Sequence, residues 1–186
     1  STLLRVIYGD HTVAAGGSLQ RRGVLPGVPL TEFRRQCALV APHLQTDFPP
    51  TACVRDVVVS GLHSSIGLNE PASAAEAAAA LRALKLFGAG RFADRSLGEL
   101  SYGEARRVMF ARALVLQPGL LLLDEAFAGL DAATRSQLLQ RVDRLIAGGV
   151  TVVLATHHDE EIPRLASGEL RLFAGRPARV VALHQG

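Results

Sequence analysis

The chain has 186 residues, 48% hydrophobic and 20% charged, which allows one domain at roughly 100 to 200 residues each and excludes the polar, highly charged class of disordered chains. Aromatic residues are 5% with no Trp, so stacking platforms for single-stranded nucleic acid have little to be built from, and a net charge of +3 from scattered Arg residues is weak evidence for a nucleic-acid or membrane surface. The longest apolar stretch, around Leu120 to Leu123, is far below the roughly 20 residues that cross a bilayer.

Thr2 to Tyr8 carries apolar residues at helical spacing, and Gly9-Asp10 stops it. From Gly16 to Leu30 the density of Gly and Pro predicts turns around one short strand, and Cys37-Ala-Leu-Val40, ended by Pro42, predicts a strand over 37–41. Residues 53–60 and the Ala-rich stretch 72–88 predict helices, part of a helical insertion over about 53–115. A helix over 104–116 ends at Gln117-Pro118-Gly119, and the wholly apolar strand Leu120 to Leu123 follows. A further helix over 132–147 closes at Gly148-Gly149 before a second apolar strand, Val150 to Ala155. Strands buried on both faces and alternating with helices imply a parallel α/β sheet.

Cys37 and Cys53 lie apart with no C-x-x-C and no His at ligand spacing, so neither a zinc site nor a disulfide framework is signalled. Lys85 is the only lysine, and chemistry that needs a lysine must use it. Ligands of open α/β sheets gather at the carboxyl ends of the strands, where this sequence has Asp124-Glu125 and Thr156-His157. Separately, an acidic pair there is equally a solvated turn or a helix cap, and the histidine equally structural. Ser101 and Gly103 open a helix, where unpaired N–H groups and the helix dipole favour a phosphate, although Leu-Ser-x-Gly-Glu is also merely a capped helix start.

Together, Leu100-Ser-Tyr-Gly-Glu104, Leu120-Leu-Leu-Leu-Asp-Glu-Ala-Phe-Ala-Gly-Leu-Asp131 and Leu154-Ala-Thr-His157 resemble the ABC (ATP-binding cassette) ATPase family. They match its signature motif, Walker B strand, D-loop and H-loop in order. The resemblance implies a P-loop NTPase-type parallel sheet flanked by helices, with an inserted helical subdomain over about 53–115 and the remainder as catalytic core. It implies ATP and Mg2+ as cofactors, Glu125 orienting the attacking water, Asp124 holding magnesium indirectly, and His157 on the γ-phosphate, with His158 facing solvent. Ser101 and Gly103 would bind nucleotide, and Asp131 would face a second cassette. Val54 to Gly67 and Thr156-His-His-Asp-Glu-Glu161 look like the cassette proteins associated with molybdenum uptake and photorepair, which carry two cassettes in one chain.

The sequence also departs from the family. The motif G-x-x-x-x-G-K-[ST] is absent, and Lys85 lies in the Ala-rich helical region with no glycine run beside it. Ser1-Thr-Leu-Leu-Arg5 looks like the continuation of that motif, making Ser1 the magnesium-binding hydroxyl. The chain therefore reads as a fragment without the N-terminal β subdomain and the strand of the phosphate loop. Pro42 stands where the family has its Q-loop Gln, with Gln45 nearby, and Tyr102 and Glu104 replace the commoner Gly and Gln of the signature. The expected function is an ATPase energising transport, in the cytoplasm or at the inner face of the plasma membrane, with a second cassette and a membrane permease as partners and no nucleic acid. The alternatives are a soluble ATPase of translation or repair, or a silent module offering its signature to a partner cassette. The edge of Val150 to Ala155 left by the missing strand is expected either to be closed by Leu170 to Leu183 or to pair two copies.

Overall fold

The computed structural model describes residues 2–13, 15–21, 29–173 and 176–182. Chain order runs α1 (Thr2–Tyr8), α2 (Leu30–Gln36), β1 (Cys37–Val40), α3 (Pro42–Thr46), α4 (Val54–Val59), α5 (Ala74–Leu86) and α6 (Tyr102–Leu114). It continues with β2 (Leu120–Asp124), α7 (Ala132–Ala147), β3 (Thr151–Ala155), β4 (Gly168–Phe173) and β5 (Arg176–Ala182). The short strand expected between Gly16 and Leu30 falls partly on residues outside the described ones, and none is present among those that are described.

Strands β1, β2 and β3 form a parallel sheet in that order, with Cys37 opposite Leu120 and Leu120 opposite Thr151. Side chains alternate across a strand, and this alternation sorts the apolar runs into two layers. Ala38, Val40, Leu121, Leu123, Val152 and Leu154 join the larger core with residues of α4 to α7. Cys37, Leu39, Leu122, Val153 and Ala155 face the smaller one, with Leu4 of α1 and Phe33 of α2. Helices thus cover both faces, as the wholly apolar strands require. Burial pushes the Cys37 thiol up to about 12, against the pull of Arg21 and Arg34, and both cysteines are free.

At the third strand the structure departs from one of the two expected outcomes, closure by the C-terminal segment. β1 is buried at all four positions, whereas β3 is exposed at Thr151 and only partly buried from Val152 to Ala155. Its outer edge has no strand partner among the described residues. Among the described residues, the C-terminal segment does not close onto it. β4 and β5 pair with each other, antiparallel, Glu169 opposite Val181, because joining two adjacent segments closes a far shorter loop than reaching back to β3.

Candidate active site

The centre of the site is the carboxyl end of β2. Asp124, 4% exposed, ends the strand, and Glu125 extends the ladder by one bond, its N–H donating to Ala155 O at 2.9 Å. Glu125 then takes a left-handed backbone, φ 46°, which costs a side-chain-bearing residue about 1–3 kcal/mol and is typical of functional sites. The carboxylate is half exposed and lies 3.7 Å from His157 Nδ1, the side chain of which is 64% exposed. That separation is longer than a hydrogen bond, so both groups are held close and left available.

The loop bearing His157 is fixed from beneath. Thr156 Oγ1 donates to Glu161 Oε2 at 2.5 Å and accepts from the His158 N–H at 3.1 Å, and Glu161 is 1% exposed. Sequence reasoning missed this support; the Thr-x4-Glu spacing across a strand end was its signal. His158, expected to be the solvent-facing histidine, is the less exposed of the two, and the rings touch at 4.0 Å between centres.

Two helix starts flank the turn that follows the strand. Ser101 caps α6 in a reciprocal box: Glu104 N–H donates to Ser101 Oγ at 3.3 Å and Ser101 N–H to Glu104 Oε2 at 2.9 Å. This satisfies two amides that a helix otherwise leaves unpaired, and hydrogen bonding from the Ser101 backbone and side chain holds the Glu104 carboxyl below its usual range. The box starts α6 at Tyr102 rather than at the expected 104. Asp131 caps α7 by accepting from Thr134 N–H at 2.9 Å, and the same bond lowers its carboxyl. The two starts touch: a Cβ on Gly103 would lie 3.6 Å from Thr134 Cγ2 and 3.8 Å from Leu130 Cδ2. The fold therefore gathers Ser101, Gly103 and Asp131 on one side and Asp124, Glu125 and His157 at the sheet's end.

Other sequence candidates fare differently. Ser1 lies outside the described residues. Pro42 is the first residue of α3, and the Gln45 side-chain Oε1 is buried without a hydrogen-bond partner among the described residues. Lys85 sits in the last turn of α5. No group of three His, Cys, Asp or Glu side chains among the described residues could cage a metal. The oxygen-only pair Asp124-Glu125 suits a hard cation that arrives with phosphates and keeps its waters, the usual manner of Mg2+.

Residues 1–128 match the family described as ABC transporter. The chain is 34% identical over 169 residues to the ABC transporter ATP-binding protein ModF of Escherichia coli (strain K12), covering 88% of this chain and 34% of that one. To the zinc transport system ATP-binding protein TroB of Treponema pallidum (strain Nichols) it is 36% identical over 159 residues, 86% of this chain and 58% of that one. It thus spans between about a third and three fifths of these relatives' lengths. Its fold superposes on the cassette MJ0796 in a dimeric post-hydrolysis state bound to ADP and Pi, with a TM-score of 0.82 at 25% identity, covering 99% of this chain and 80% of that one.

Proposed function

The chain belongs to the ABC transporter family, and from that premise we propose that it supplies the hydrolytic strand end and the signature face of an ATPase that energises transport. The observation that carries the reading is Glu125: a carboxylate on a left-handed backbone at the end of the middle strand, 3.7 Å from the histidine that ends the next one. A carboxylate so placed accepts a hydrogen bond from a water and orients it for in-line attack on the γ-phosphorus. His157 donates to a γ-phosphate oxygen. Asp124 would hold a magnesium ion indirectly, and the ion, bound with the nucleotide, would neutralise charge on the phosphate oxygens.

The amides opening α6, with Ser101 and Gly103, offer a positive helix end to a phosphate held by a second cassette, and Asp131 faces that same partner. Residues 53–115 act as the helical subdomain that meets a membrane permease; no described helix is itself long and apolar enough to cross a membrane. The open edge of β3 supports a further contact between two copies. Light scattering tests this: a mass near twice 19.7 kDa is expected, and a monomer at all concentrations contradicts it.

In these 186 residues no G-x-x-x-x-G-K-[ST] run occurs, so phosphate binding depends on a glycine-rich cradle supplied from outside them. That same fact favours a second reading, a silent module that lends its signature to a partner. Glu125→Gln in a cassette completed with the cradle separates the two. We expect ATP binding to stay nearly unchanged while hydrolysis falls about a hundredfold or more. Equal loss of binding makes Glu125 structural, and no hydrolysis in the parent supports the silent module.

A further inference from the structure

Arg106 lies one turn into α6 with none of its surface exposed. Two of its guanidinium nitrogens, Nε and Nη1, have no hydrogen-bond partner among the described residues. The third, Nη2, donates to the Tyr102 hydroxyl, and the guanidinium carbon is 5.1 Å from the centre of that ring. Tyr102 is 45% exposed, and its ring edge lies against Gly129: a Cβ there would come within 3.2 Å of Tyr102 Cε1. Gly129, at φ 73°, belongs to the turn that leads from Glu125 to Asp131. That turn is closed by hydrogen bonds of 3.2 Å from Ala128 N–H to Glu125 O and from Leu130 N–H to Phe127 O.

A guanidinium buried with most of its donors empty lowers stability, because the bonds it gave up to water are not replaced. An apolar side chain of similar length would fill the same space without that cost. What the arginine supplies instead is orientation. One bond from a fixed, buried group holds a half-exposed ring, and the ring presses on a glycine that has no side chain to push back.

We propose that Arg106 is a positioning residue acting through Tyr102, clamping the start of α6 onto the turn between Glu125 and Asp131. The clamp joins the helix start that carries Ser101 to the backbone that carries Glu125, so that the two cannot drift apart as the turn flexes. The contact of Gly103 with Leu130 and Thr134 is the other jaw. Tyr102 in place of the family's commoner glycine makes this device a property of this chain's own signature. Its purpose rests on the ATPase reading above; its geometry does not.

Amide hydrogen exchange and denaturant melts of the 186-residue chain test the clamp, comparing the wild type with Arg106→Met, Arg106→Lys and Tyr102→Phe. Arg106→Met should leave the melting midpoint unchanged or raise it, while exchange at the Ala128 and Leu130 amides quickens about tenfold or more. Arg106→Lys, which keeps a donor, should restore protection there. Tyr102→Phe removes a hydroxyl from a half-exposed ring that tolerates it, and should quicken the same two amides. Two results would overturn the proposal. In one, Arg106→Met lowers the midpoint and quickens exchange throughout the core alike, as a merely structural residue would; in the other, neither Arg106→Met nor Tyr102→Phe alters the two amides. Exchange requires no nucleotide, so a failed clamp leaves the ATPase reading standing, and failure of that reading leaves the exchange result intact.

Discussion

Glu125 and Asp131 stand at the two ends of one turn and are held in opposite ways. Asp131 is fixed through its side chain, which accepts the Thr134 amide and caps α7; Glu125 is fixed through its backbone, which bonds to Ala155 and bends left-handed, while its carboxylate makes no hydrogen bond among the described residues and lies 3.7 Å from His157. A capped carboxylate has its lone pairs committed and adds to stability. An uncommitted one, held in place by strain, is ready to accept a proton or a water. The difference separates the group that organises the turn from the group available for chemistry.

The contrast is broken most strongly by exchanging the demands of the two left-handed residues on this turn. Gly129→Ala should destabilise the chain by about 1–2 kcal/mol, because a Cβ meets both an unfavourable φ and the Tyr102 ring. Glu125→Gly should stabilise it by up to about 1 kcal/mol by relieving strain, even as the proposed catalytic carboxylate is lost. Denaturant melts read both. A loss of stability in Glu125→Gly comparable to that in Gly129→Ala would mean that the glutamate serves the fold.

A smaller effect sharpens the same comparison. Hydrogen bonds from Ser101 to Glu104, and from Thr134 to Asp131, lower both carboxyls in the folded chain. Their stabilisation is therefore fully present above the ordinary carboxylate range, near pH 4, and is lost as pH falls through the depressed folded values. Melting midpoints taken from pH 6 downward should fall less steeply for a Glu104→Gln, Asp131→Asn double variant than for the wild type. Parallel curves would mean that the caps do not titrate as described.

Much of this was legible in the sequence, for identifiable reasons. Leu120–Asp124 and Thr151–Ala155 announced themselves as apolar runs preceded by glycine, Gly119 and Gly148-Gly149, and Ser101 with Glu104 is a capping box at its usual spacing. That β3 lies at an edge followed from the family resemblance; what was not legible is that β4 and β5 pair with each other rather than with it, since an apolar strand reads the same whichever neighbour it takes. Nor was the burial of Arg106: α6 is buried at nearly every position from Ala105 to Leu114, so no polar stripe marked the arginine as out of place. The strain at Glu125 is a backbone property that residue type does not reveal, because glutamate is not a residue that favours φ > 0.

The proposed division of labour gives these residues the carboxylate that drives hydrolysis but not the cradle that grips the phosphates. Calorimetric titration of the 186-residue chain with Mg-ATP, with phosphate release followed in the same samples, tests it most directly. Without the glycine-rich backbone and its lysine, which supply most phosphate contacts, no binding in the micromolar range and no phosphate release are expected. Micromolar binding accompanied by phosphate release would contradict it.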